Sequence, residues 1–322
     1  MKPCEIFSRR NFFNPNFNQY LFEEEKMKKM VNRLISGILA MILVLAAGTV
    51  GFAGHHDTHK EKKTGILLVA FGSSEASAQV SFENIDRKVK AAWPDTPVYW
   101  AYTSRIIRHK LAKQGKTLDS PAVALARMAD QQFTHVAVQS LHTIAGAEYH
   151  DLRRVVGAFK SMGDFDKIIL GYPLLATQAD MVKTVDALFE MIPADRKKEE
   201  AVVFMGHGTH HPSNAFYAAL MFQAQRQDPH VFIGNVEGYP EIDEIHSWLA
   251  EKKIKTAWLL PFMSVAGDHA KNDMAGDEED SWKSILSEAG IQCHTVLKGT
   301  AEYDGFVDIW LSHLEEVLNH FH

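Results

Sequence analysis

Pro261-Phe-Met-Ser-Val-Ala-Gly-Asp-His269 and Ser140-Leu-His-Thr-Ile-Ala-Gly-Ala-Glu148 read as two versions of one segment, with Ala-Gly in common and His269 lying over Glu148. Each joins an apolar run that has the length and composition of a buried strand: Thr256-Ala-Trp-Leu-Leu260 in the later copy and His135-Val-Ala-Val-Gln-Ser-Leu141 in the earlier one. After Pro261 the chain soon turns polar, with Gly267, Asp268, His269, Asn272, Asp273 and Asp277 close together, as a strand end does when it opens into a loop. Open α/β sheets place their ligand chemistry at the carboxyl ends of parallel strands. His269 therefore stands where a metal ligand or proton carrier is useful, although a loop histidine can equally be solvated.

Two further pairs extend the match. Ala201-Val-Val-Phe-Met-Gly-His-Gly-Thr209 lies over Gly65-Ile-Leu-Leu-Val-Ala-Phe-Gly-Ser73, which sets His207 over Phe71 and Gly208 over Gly72. Val231-Phe-Ile-Gly234 lies over Val98-Tyr-Trp-Ala101, with Glu237 answering Ser104. Three strand ends thus match in order, loops included, which points to internal duplication. Helical spacing between the runs, as in Val80 to Trp93, makes strands and helices alternate, and that alternation requires parallel sheets. The expected architecture is α/β: an N-terminal half over residues 64–197 and a C-terminal half over 198–322, each a parallel sheet flanked by helices. A cleft is expected between the strand C-termini. The later loops would bring His207, Glu237 and His269 to that cleft, and the earlier ones Phe71, Ser104 and Glu148. A last helix, Phe306 to Phe321, shows an apolar face that should pack on the core.

Ahead of this repeat, Lys28, Lys29 and Arg33 precede an apolar or small run from Leu34 to Val50, and Gly51-Phe52-Ala53 supplies small residues. Residues 27–53 read as a secretory signal peptide cleaved near Ala53, with residues 1–26 a mis-assigned extension and Met27 the start. The run is at the short limit for a membrane span, so no span is expected after cleavage, and the location is expected to be the periplasm. Residues 54–63 form a His- and Lys-rich segment expected to be mobile. The full chain has 34 basic and 40 acidic residues; without residues 1–53 the balance is 27 against 36, or −9, which argues against nucleic-acid binding. Of two cysteines only Cys293 remains past the leader, so no intramolecular disulfide is possible there.

Two imidazoles and a carboxylate suit a first-row divalent ion, and three protein ligands leave coordination positions open. The helical His-Glu-x-x-His pattern, a Ser nucleophile elbow, a Walker loop and G-x-G-x-x-G are all absent from the sequence. Glycines on both sides of His207 are expected to let the backbone approach a flat or bulky ligand.

Gln139-Ser-Leu-His142, Phe204-Met-Gly-His-Gly208, Val236-Glu-Gly-Tyr-Pro240 and Val265-Ala-Gly-Asp-His-Ala-Lys-Asn-Asp-Met-Ala275 resemble the anaerobic cobaltochelatases of the CbiK type, class II chelatases, over nearly all of the chain past the leader. The resemblance implies two flavodoxin-like, chelatase-like halves and ATP-independent insertion of Co²⁺ into the tetrapyrrole sirohydrochlorin; the nitrogen and oxygen ligands themselves suit Fe²⁺ or Ni²⁺ as well. By motif it makes His207, Glu237 and His269 the metal ligands and catalytic set. The ring must lose two pyrrole protons as the metal enters, and neutral imidazoles can hold the ion first and take protons afterwards.

A substrate with several carboxylates also needs basic groups in an acidic protein, and Arg105 and Lys271 are the expected ones, with Arg108 and Lys110 weighed as solvated helix charges. Phe71, Ser73, Ser104, His142, Glu148 and Met263 complete the expected substrate-binding set, with Leu141 either wall or core. His150, expected exposed at a helix start, is a candidate haem ligand at a subunit contact in a homo-oligomer. Two other classes stay open: a periplasmic metal- or haem-binding carrier without turnover, and a metal-dependent hydrolase that would use the free coordination position for a water.

Overall fold

The computed structural model describes residues 61–322, together with Met27 and Met30. The expected extension 1–26, the cleaved signal and the segment before residue 61 otherwise lie outside the described residues. None of the described helices is long and apolar enough to cross a membrane.

The chain builds the same four-stranded parallel sheet twice. In the first half β1 (Thr64–Ala70), β2 (Val98–Tyr102), β3 (His135–Ser140) and β4 (Lys167–Gly171) take the order β2-β1-β3-β4. In the second, β5 (Ala201–Gly208), β6 (Val231–Glu237), β7 (Thr256–Phe262) and β8 (Gln292–Thr295) take the order β6-β5-β7-β8. Register confirms the repeat residue by residue. Val69 pairs with Ala101 and Ser140, and its counterpart Met205 pairs with Gly234 and Pro261, which are the positions that the sequence match puts over Ala101 and Ser140.

Helices connect the strands: α1 (Gln79–Ala92), α2 (Arg105–Ala112), α3 (Pro121–Asp130), α4 (Ala147–Met162) and α5 (Gln178–Met191) in the first half. The second has α6 (Ala215–Gln225), α7 (Ile242–Glu251), α8 (Trp282–Glu288) and α9 (Asp304–Asn319). Their starts follow local chemistry. Ser120 caps α3 by accepting from the Val123 N–H, with Pro121 at the first helical position, and Thr177 and Asp180 form a reciprocal capping box on α5.

Central strands are buried on both faces, which is why they read as unbroken apolar runs; Ile66 to Val69 and Val202 to Met205 have no exposed surface. Alternate residues divide between cores. Leu67 and Val69 pack with Leu125, Met128 and Leu152, and Val203 and Met205 with Ile245, Leu249 and Leu286. Ile66, Leu68, Val202 and Phe204 share a third core, to which α5 and α9 both contribute, so the halves are fused by one apolar interior.

The last helix buries Phe306, Ile309, Trp310, Leu314 and Val317 as expected, but against β3, β4 and α5 of the first half. Trp310 Nε1 donates to the His142 carbonyl at 3.4 Å, and His313 Nε2 lies 3.1 Å from Asp180 Oδ1 with both side chains at most 5% exposed. Burial pushes the Asp180 carboxyl up, yet hydrogen bonds from Thr177 and His313 and the His313 charge outweigh it and hold the group below its ordinary value. A carboxyl depressed by folding contributes stability above its unfolded pKa and loses it as pH falls through the folded one. Asp180→Ala is therefore expected to cost about 3–5 kcal/mol near neutral pH by leaving a buried partner unpaired, a Tm loss on the order of 10 °C. Part of the wild-type loss of Tm in acid should vanish in Asp180→Asn; a thermal melt series in pH checks both.

Candidate active site between the halves

Loops from the C-terminal strand ends of both sheets enclose a cavity of about 530 Å³. Phe71 and Ser73 after β1, Leu141, His142 and Glu148 after β3, His207 on β5, Glu237 at the end of β6, and Met263 and His269 after β7 all line it. Its size falls in the ordinary range for small-molecule sites.

His207 and His269 meet there. Their ring centroids are 4.9 Å apart with planes at 87°, and the Phe71 ring lies 6.2 Å from that of His207. The glycines flanking His207 have a different cause from the one expected. A Cβ on Gly206 would come within 2.6 Å of the Tyr217 ring and of Asn235 Oδ1, and one on Gly208 within 1.8 Å of the Glu237 carbonyl oxygen. Gly208 also has φ +74°, which L side chains rarely adopt. Both glycines thus admit neighbouring protein and fix the imidazole between two immovable points. His207 Nδ1 faces the Gly208 carbonyl at 3.1 Å, so an N–H there donates and Nε2 keeps its lone pair.

His269 begins a π-helical turn, Ala270–Met274, and that turn carries Asp273 back to it: Nδ1 to Oδ2 is 2.5 Å. A carboxylate on one ring nitrogen fixes the tautomer, orients the ring and raises the basicity of the other nitrogen. In the sequence Asp273 stands out only as one residue of the polar stretch after Pro261. Its i,i+4 spacing from His269 was the available signal. Asp273→Ala is expected to lower metal affinity and turnover 10- to 100-fold, the usual worth of such a partner, with Asp273→Glu restoring part of it; a Co²⁺ titration measures this.

Glu237 is exposed and paired in register with Gly208, on the same wall as the histidines. Among the described residues, no three His, Cys, Asp or Glu side chains are drawn into one metal-holding group. The two imidazoles are brought together, and the carboxylate stands at the rim.

His142 lies deeper. Its Nδ1 is 2.8 Å from Ser140 Oγ, its Nε2 is buried without a partner, and burial pushes its pKa down to about 4, so it stays neutral at ordinary pH.

Several expected residues sit elsewhere. Ser104 does not line the cavity; its buried hydroxyl caps α2 by accepting from the Ile107 N–H. Arg105 is exposed and points off the lining, because the phase of α2 turns Ile106, Ile107 and Lys110 toward the cavity instead. Ser73 reaches the lining, yet its Oγ accepts from the Glu75 N–H. Lys271 is ion-paired with Glu75 outside the lining residues. Leu141 is 2% exposed and serves as both core and wall. His150 sits in the first turn of α4, as expected, but is half-buried rather than exposed, with its ring 5.0 Å from that of His211 in the other half.

A family model described as cobalt chelatase (CbiK) matches residues 64–319. A sirohydrochlorin cobaltochelatase, CbiKC, from Nitratidesulfovibrio vulgaris is 48% identical over 252 residues, 78% of this chain and 89% of that protein. A sirohydrochlorin cobaltochelatase from Salmonella typhimurium is 39% identical over 261 residues, 80% of this chain and 97% of that one. Among solved structures, the sirohydrochlorin chelatase SirB of Bacillus subtilis in complex with cobalt superimposes with a TM-score of 0.57 at 16% identity, covering 80% of this chain and 96% of that one, a likeness of fold.

Proposed function

Because this chain belongs to the CbiK family of cobalt chelatases, we propose that it inserts a divalent metal, Co²⁺ foremost, into sirohydrochlorin without nucleotide hydrolysis. The observation that carries this reading is the edge-on pair of imidazoles, His207 and His269, 4.9 Å apart in a cavity that both halves enclose.

The ion is held first by His207 and His269, with Glu237 closing in from the rim to balance its charge. Two histidines and a carboxylate form an open set, so remaining positions can accept ring nitrogens as the metal is handed over. M²⁺ enters and two pyrrole protons leave, so charge balances. Imidazoles released from the metal are the nearest acceptors for those protons, and the carboxylate of Asp273 holds the His269 ring in position. Phe71, Met263 and the strongly exposed Ile106 give the macrocycle an apolar wall. His142, half-buried and neutral, lines the cavity without adding charge to it. We place the protein in the periplasm on the basic and apolar pattern of residues 27–53.

The test is an anaerobic absorbance assay of sirohydrochlorin with Co²⁺, Fe²⁺ or Ni²⁺ and no ATP. Conversion of the metal-free spectrum at a rate proportional to enzyme is expected, fastest with Co²⁺. Tight binding of ring and metal without conversion would instead make the protein a carrier.

A further inference from the structure

A ring that carries several carboxylates needs cations, yet the cavity wall offers few. Among the described lining residues Lys110 is the one lysine or arginine, against three carboxylates, Glu148, Glu237 and Asp268. A second cation, Lys271, lies outside the lining but two residues from His269, already engaged. Lys271 Nζ donates to Glu75 Oε2 at 2.5 Å and joins the π turn after His269 to the loop after β1, one half to the other. The same two loops touch at Gly267, where a Cβ would lie 3.2 Å from Ser73 Oγ, and the Glu75 backbone N–H donates to that Oγ at 3.1 Å. Lys110 lies close enough for its charge to act on Glu75. Both partners of the pair are partly open to water, at 36% for the Lys271 side chain and 25% for that of Glu75. An ion pair this exposed exchanges readily for another of equal charge.

We propose that Glu75 is a stand-in for a substrate carboxylate: a peripheral carboxylate of the tetrapyrrole takes Lys271 from Glu75 as the ring seats, releasing the clasp between the halves. Charge is conserved, since one carboxylate replaces another on the same ammonium, and Glu75 returns to solvent. Lys271 is two residues from His269, so the captured carboxylate anchors the ring beside the ion. Lys110, on the neighbouring wall, supplies a second anchor. Together the two lysines select for a polycarboxylated ring. The inference rests on the chelatase reading and deepens it.

Metal-free sirohydrochlorin is titrated into the full protein at low ionic strength and binding read from its absorbance. Glu75→Gln removes the competing charge at constant size and is expected to tighten binding about three- to fivefold, with KM falling in step and kcat within about twofold of wild type. Lys271→Gln is expected to weaken binding on the order of tenfold, the worth of a charge-assisted hydrogen bond. In the double variant the gain from Glu75→Gln should disappear, because its target is gone. A purely structural clasp predicts the reverse for Glu75→Gln: unchanged or weaker binding together with a lower Tm, and that result overturns the proposal. Binding without Co²⁺ turnover in the wild type would overturn the chelatase reading while leaving the titration to judge the clasp.

Discussion

If His207 and His269 hold the ion as proposed, replacing either with alanine should lower Co²⁺ insertion by more than the roughly 100-fold that a partner behind a ligand is worth, because each substitution would remove a coordinating nitrogen. The two rings are 4.9 Å apart, and neither is part of an apolar core. Stability should therefore be little changed, with melting curves close to wild type. Either single substitution should remove most of the activity, and the double one should add little, since two ligands to one ion act as a unit. Steady-state kinetics on the three variants check this. Independent, multiplicative losses would mean that the two imidazoles serve separate steps.

Gly208→Ala should unfold the site from beneath. The added Cβ would sit 1.8 Å from the Glu237 carbonyl oxygen and 2.6 Å from Asn235 Cβ, at a backbone φ of +74°. Backbone cannot swing aside as a side-chain tip can, so the ends of β5 and β6 must part. A loss of at least ~4 kcal/mol is expected, with a Tm fall of 10 °C or more and no measurable insertion. Gly157→Ala, in the middle of α4 with nothing within 4 Å of the new Cβ, supplies the contrast. It should be neutral or stabilising by about 0.5–1 kcal/mol. Similar melts for the two variants would show that the crowding at Gly208 is relieved elsewhere.

The double sheet was legible because duplication leaves the same strand ends in the same order, and parallel pairing then leaves little freedom of register: Val69 with Ala101 and Ser140, Met205 with Gly234 and Pro261. The His207 and His269 pair was legible for the same reason, since both stand at strand ends that a parallel sheet brings side by side. What failed was the placing of side chains by neighbourhood in sequence. Arg105 follows a strand end but leaves the cavity by the phase of α2, and Ser104 spends its hydroxyl on the cap of that helix. The return of α9 to the first half was hidden too. An amphipathic face states that it needs a partner without stating which one, and the match for Trp310 and His313 lies in the His142 carbonyl and Asp180, remote in sequence. Asp273 was announced only by its i,i+4 spacing from His269, and the contact is made across a π turn that the sequence does not declare.

X-ray absorption at the cobalt edge of the Co²⁺-loaded protein tests the shared-ion claim most directly. Two imidazole nitrogens in the first shell of the wild type are predicted, falling to one in His207→Ala and to one in His269→Ala, with Glu237→Gln removing only an oxygen. A shell unchanged by both histidine substitutions would contradict the account, because it would put the metal somewhere these two rings do not reach.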